Sequence, residues 1–184
     1  MERASASGIE HVNVKVFARQ PVRVNWADLI PVYHRWIQQQ VFPELLLIDV
    51  ADYTVVPAGP GVMLIGHHAN ISLDNRQNRV GMLYNRKTVM DGGFADKLRR
   101  SYDAAVAAAH RLEQEPEFKG TIWFDESNVE VFVNDRLLAP NTQETWDTLR
   151  GDIEAVFGPG ATMEWNGAGR ELFRVRVRAA ALVT

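Results

Sequence analysis

From Val62 to Lys87 apolar residues recur at every second position on both sides of a polar cluster, Asn75-Arg76-Gln77-Asn78. A period of two belongs to extended chain with one buried face, and a short polar cluster between two such runs reads as a turn. The spacing therefore predicts a long hairpin of Val62–Asp74 and Val80–Lys87. A hairpin of that length commits the chain to an antiparallel sheet with an apolar face that other elements must cover. On the first strand Met63, Ile65, His67, Ala69, Ile71 and Leu73 share one face, and Gly66, His68, Asn70, Ser72 and Asp74 share the other. Pairing Asp74 with Arg79 sets Leu73 against Val80, Ile71 against Met82 and Ala69 against Tyr84, so the apolar faces coincide. It also sets His67 against Arg86 and His68 against Asn85, and a slip of two residues preserves every face assignment.

Elsewhere the period lengthens to three and four, which marks helices with one buried stripe. Trp26, Leu29, Ile30, Tyr33, Trp36, Ile37 and Val41 form the first. With Asp28 as N-cap, Pro31 falls at the third helical position, where a missing N–H breaks no bond. The regular helix then begins near Leu29, after a tighter turn around Trp26. A second helix follows Asp91-Gly92-Gly93 and carries Phe94, Leu98, Tyr102, Ala105, Val106, Ala109 and Leu112 on one face. A third begins at Pro140-Asn141, with Asn141 and Glu144 at capping-box spacing, and stops at Gly158-Pro159-Gly160.

Val12, Val14 and Val16 alternate with His11, Asn13 and Lys15, predicting a first strand with one buried and one wet face. Leu45–Val56 is apolar on both alternations and fits either a covered strand or a packed irregular segment. Two further hairpins are expected: Thr121–Phe124 with Val129–Asn134 around Asp125-Glu126-Ser127-Asn128, and Thr162–Trp165 with Leu172–Arg178 around Asn166-Gly167-Ala168-Gly169. The order of elements is that of an α+β fold, a mostly antiparallel sheet with about three helices packed on it, in a single domain over residues 1–184. Val14-Lys15-Val16-Phe17 and Val129-Glu130-Val131-Phe132 each lead to a Trp-containing helix and then a hairpin. Two pseudo-symmetric strand–helix–hairpin halves, at about residues 9–90 and 121–180, are one reading of that echo. Val-rich strands preceding helices produce similar echoes without any duplication.

Composition narrows the chemistry. The chain has no cysteine, which excludes disulfides, thiol catalysis and thiolate metal sites. A formal charge of -3 argues against nucleic acid as a partner. No apolar run approaches the roughly 20 residues of a membrane span and no signal-like segment opens the chain, so no membrane partner and a cytoplasmic location are expected. Phosphate-loop, dinucleotide, nucleophile-elbow and H-E-x-x-H motifs do not occur, and no cofactor is expected.

Chemistry is expected where the central hairpin ends. His67, Tyr84 and Arg86 fall at the margin of an apolar face, with His68 and Asn85 behind them. Imidazole titrates near neutral pH, a phenol donates a hydrogen bond and a guanidinium forks onto a carboxylate or phosphate. His34 and Trp36, on the aromatic first helix, are further candidates for a pocket wall. Each has a plainer reading: His67 as a histidine at the core edge, Arg86 as a rim residue, Trp36 as core. Adjacent histidines on a regular strand point to opposite faces, so His67 and His68 do not make a metal site, and no metal is expected. Arg174, Arg176 and Arg178 form a row on the last strand, which reads as an anion-binding surface or as an exposed strand protected by charge.

Two functions follow from these residues. The first is a non-catalytic ligand-binding or accessory module, taking a small anionic molecule or, if Trp26 or Trp36 is exposed, a second copy of the chain as a homodimer. The second is a small metal-independent enzyme acting on an anionic metabolite. In that reading His67 is the general base, Tyr84 the proton donor and Arg86 the anion clamp.

Overall fold

Eight strands form one antiparallel sheet in the computed structural model, which describes residues 8–57, 59–167 and 170–180. The strands are β1 (Val12–Ala18), β2 (Leu47–Asp52), β3 (Val62–Gly66), β4 (Ala69–Asp74), β5 (Gly81–Arg86), β6 (Phe124–Val133), β7 (Thr162–Trp165) and β8 (Arg174–Arg178). They lie in the order β2-β3-β4-β5-β1-β6-β8-β7. Three helices, α1 (Leu29–Gln39), α2 (Phe94–Gln114) and α3 (Gln143–Phe157), complete an α+β fold. None is long and apolar enough to cross a membrane.

β1 and β6 are an interior pair, with Lys15 opposite Glu130 and valines on either side: Val14 faces Val131 and Val16 faces Val129. Outward from this pair the order is β1-β5-β4 on one side and β6-β8-β7 on the other. Each lone strand therefore lies beside the second strand of the hairpin that follows its helix. Among the described residues, β2, β3 and α2 have no counterpart after β6.

The helices pack on one face. Val12, Val14 and Val16 of β1, Val129, Val131 and Val133 of β6, and Val175 and Val177 of β8 are buried there with Leu29, Val32, Tyr33 and Trp36 of α1 and Leu149 and Ile153 of α3. The small residues Ala105, Ala108 and Ala109 let α2 lie close over β1 and β5. The starts of α1 and α2 fall where the sequence places them. Asp28 precedes Leu29 after a 3₁₀ turn at Trp26–Asp28, and the carboxylate of Asp96 accepts from the Gly93 N–H at 3.0 Å. α3 is capped one residue later than its spacing predicts, by Thr142, whose hydroxyl accepts from the Thr145 N–H. Asn141 instead bonds Trp165 Nε1 and the Asn166 carbonyl, tying α3 to the end of β7.

Four expectations change. Val62–Asp74 is two strands, because Gly66 and Ala69 close a tight turn with His67-His68 at its tip. Those two residues invert the alternation, so Val62 and Leu64 share the core face with Ile71 and Leu73 while Met63 and Ile65 point away. Gly66 is required there: a Cβ would lie 2.6 Å from the Ala69 carbonyl oxygen and 2.8 Å from that of Leu45. Second, Phe124–Val133 is one strand and not a hairpin: its pairing with β1 is irregular between Phe124 and Val129, where Ser127 bonds Asp125 without reversing the chain. Third, the ambiguous Leu45–Val56 stretch holds edge strand β2, with Ile48 exposed. Fourth, β8 is an interior strand between β6 and β7, so its arginines do not protect a sheet edge. The β7–β8 hairpin forms as expected, although Ala168 and Gly169 of its connection lie outside the described residues.

Glu115, at the end of α2, fastens α1 to the body. Its carboxylate accepts from Trp36 Nε1 at 2.7 Å and from Arg35 Nη2 at 2.8 Å, and Arg111 Nε lies 3.0 Å away. Burial alone raises its pKa, but the hydrogen bonds from Arg35 and Trp36 and the charge of Arg111 outweigh burial and hold it below its ordinary value of 4.5. A carboxyl depressed by folding contributes stability that is complete above the unfolded-state pKa and is lost as pH falls through the folded-state one. Glu115→Gln is therefore expected to cost about 2 kcal/mol at pH 7. Urea unfolding at a series of pH values should show wild type losing stability below pH 4.5 more steeply than the variant.

Candidate functional site

The residues singled out at the hairpin end separate into three groups. His68, Tyr84 and Arg86 line one open cleft of 610 Å³ between the end of β5 and α2, together with Glu44, Asp91, Arg100 and Asp103. His67, Asn85, His34 and Trp36 do not line it. His67 is exposed at the tip of the β3–β4 turn, its ring perpendicular to that of His68 with centroids 4.6 Å apart. Asn85 points to the opposite face of the sheet, in register with Asn13 and Asn70. His34 is exposed on α1. Trp36 is fully buried against Tyr33 and Phe42 and presents nothing to a partner or a pocket. Asp74 pairs with Gly81, two residues from the simplest turn register, so Ile71 faces Tyr84 and Ala69 faces Arg86.

Within the cleft the cations are already occupied. Arg86 donates Nε to the Thr88 carbonyl at 2.9 Å, Nη2 to the Val89 carbonyl at 3.3 Å and Nη1 to the Tyr84 hydroxyl at 3.4 Å. Arg100 donates to the carbonyls of Asp91 and Asp96. His68 Nδ1 lies 3.1 Å from Thr88 Oγ1, and burial, followed by the charges of His67, Arg86 and Lys87, pushes its imidazole pKa below the ordinary value. These bonds hold the loop after β5 against the sheet. With Glu44, Asp91 and Asp103 around them, little positive charge is left to attract an anion.

The opposite face of the sheet holds what the alternation of β1 assigned to water. Each cavity over it is lined, among the described residues, by strands and turns without a helix. Nevertheless Asn13, Lys15, Ser72, Asp74 and Glu130 are all buried. Lys15 Nζ donates to Asp74 Oδ1 at 2.5 Å, with the two side chains 3% and 2% exposed. Arg76 Nε approaches the other Asp74 oxygen to 3.4 Å as an ion pair without a hydrogen bond, and Arg174 bonds Glu130. Aromatic rings fill the gaps: Arg79 lies 3.9 Å from the centroid of Phe17 and Arg174 4.6 Å from that of Phe132. Burial lowers the pKa of Lys15, and the charge and hydrogen bond of Asp74 offset part of that effect.

Register explains how the charges meet. Glu164, Arg176, Glu130 and Lys15 stand opposite one another on β7, β8, β6 and β1, alternating in sign across four strands. Lys15 then runs diagonally over Gly81, where a Cβ would lie 2.8 Å from its Cε, to reach Asp74 on β4. Lys15, Phe17, Asp74, Arg76, Gln77, Leu83, Glu130, Phe132 and Arg174 enclose a 210 Å³ cavity on this face. A sequence reading of separate strands does not show this group, since its members come from five strands and a turn. The one available signal was the echo, which puts lysine and glutamate at matching positions between valines.

Comparison with known proteins finds no matching family model, no matching curated relative and no matching solved structure. The site is therefore read from its own chemistry. Removing one partner of a buried ion pair leaves the other charge uncompensated, whereas replacing both by apolar groups is often neutral. Asp74→Leu should cost about 3 kcal/mol, and Lys15→Met/Asp74→Leu should recover more than half of that loss. Chemical denaturation of the two variants beside wild type measures the difference.

Proposed function

We propose that the protein is a binding module for a small anionic molecule, seated in the charged cavity on the helix-free face of the sheet. The observation that supports this reading is an imbalance of charge in a sheltered place. Lys15, Arg76 and Arg174 line the cavity against Asp74 and Glu130. Arg174 is 29% and Arg76 48% exposed, so both keep donors within reach of a ligand while Lys15 and Asp74 stay fixed beneath them. Guanidinium forks suit a carboxylate, and prior burial of the surrounding charges lowers the reorganisation that binding requires. The group offers no nucleophile with an adjacent base outside its own ion pairs, and binding without turnover accounts for all of its members.

Acetate titrated against isotope-labelled protein at constant ionic strength should shift the backbone amide resonances of Leu83, Glu130 and Arg174, and methylammonium should not. Glu130→Gln/Arg174→Gln removes the ion pair without leaving a lone buried charge and should weaken the acetate effect about tenfold, in keeping with the loss of one charge-assisted hydrogen bond. Shifts confined to the surface, or equal shifts in the double variant, would remove the reading.

A further inference from the structure

We infer that the anion is a monocarboxylate with a neutral, largely apolar body, its carboxylate among Lys15, Arg76 and Arg174 and its body against Trp26 and Tyr53. This rests on the anion-binding reading above and adds to it the rest of the ligand.

Size is the first argument. The charged cavity measures 210 Å³, below the roughly 300–1,000 Å³ of pockets that enclose a whole small-molecule ligand. A second cavity, of 380 Å³, is lined by Trp26, Tyr53, Thr54, Val56, Pro57, Asn75, Gln77 and Asn78 together with two glycines. Gln77 is a wall of both cavities. It sits in the β4–β5 turn with a left-handed backbone, φ 60°.

Charge supplies the second argument, since none of the residues lining the second cavity is ionisable near neutral pH. The aromatic wall is also held in place. Gly61 has φ 70°, and a Cβ there would lie 3.0 Å from the Trp26 ring, so that ring packs directly on glycine backbone. An indole and a phenol ring around a few amide groups suit a flat or aliphatic body with little charge.

The third argument is direction. On the other side of Gln77 and Arg174 lies a 280 Å³ cavity carrying Glu130, Glu164 and Glu171 against Arg174 and Arg176. Trp165 and Leu172 give that cavity some apolar wall, but its excess of carboxylate repels an anion. The head cavity itself has three cations against two carboxylates, a surplus of one. A carboxylate matches that surplus, whereas a phosphate monoester, at about -1.5 to -2, exceeds it.

The test compares acetate, 4-phenylbutanoate and 4-phenylbutan-1-ol by calorimetric titration of the full chain at one ionic strength. The phenyl-bearing acid should bind at least about tenfold more tightly than acetate, because each buried methylene adds a few-fold, and the alcohol should bind more weakly than the acid. Tyr53 is 41% exposed, so Tyr53→Ala is expected to fold. It should lower phenylbutanoate affinity several-fold and leave acetate unchanged. Trp26→Phe, checked for folding by circular dichroism, should act in the same direction.

If phenylbutanoate and acetate bind alike, or neither variant discriminates between them, the apolar body is refuted and the anion site stands. If neither acid binds, or the alcohol binds as tightly as the acid, the anion-binding reading falls as well.

Discussion

Lys15 and Asp74 stand on the side of the sheet over which no helix lies among the described residues, yet their side chains are only 3% and 2% exposed. Withdrawing two ions from water costs several kcal/mol each, and their attraction recovers this only with good geometry and further hydrogen bonds. Apolar residues at these positions would serve stability at least as well. The burial is achieved by neighbouring charges and rings: Phe17 and Phe132 beside the pair, Arg76 over Asp74, Glu130 held by Arg174. Much of the architecture of this face serves to keep that one pair dry and in place. Gly81 leaves the lane along which Lys15 crosses, and the β4–β5 register puts Asp74 beside that glycine.

The two faces of the sheet thus do different work. The helix side carries the valine and leucine core, and Glu115 joins α1 to α2 through Trp36, Arg35 and Arg111. The open side buries Phe17, Leu83 and Phe132 around its charged groups. Lys15 and Glu130 lie on interior strands paired on both sides, so register fixes the backbone from which both charges project. A recognition group placed there is preorganised by the most constrained part of the fold.

The elements themselves were largely legible in the sequence. Periods of two and near four located the three helices and most strands, and the start of α1 at Leu29 with Pro31 in its first turn followed from backbone hydrogen-bond accounting, although Asp28 makes no side-chain capping bond. The failures share a cause. A polar residue in the middle of an alternating run was read as facing water, and the same assumption made Asp125–Asn128 a turn and the β1 lysine a solvated residue. Asp125 and Ser127 instead bond each other within a continuous strand, and Lys15 finds its partner 59 positions away. Alternation reports that a strand has two faces. It does not report whether the polar face is wet, because that depends on what lies across the register. The His67-His68 pair misled for a related reason, since two turn residues within an alternating pattern leave the period looking intact while inverting the faces.

Charge and shape in the proposed binding region come from different kinds of structure. Lys15, Asp74, Glu130 and Arg174 are fixed by strand register, which admits shifts of two residues or none without inverting the face. Trp26, Tyr53 and Gln77 come from the turn before α1, the β2–β3 connection and the β4–β5 turn, segments whose length and sequence can change without disturbing the sheet. Such an arrangement separates two requirements of recognition. On the proposed reading, the sign of the ligand's charge is set by strand register, and the form of its uncharged part by connections that are more easily altered. Related chains that kept the charge ladder and differed in these three connections would hold anions of the same charge and different body.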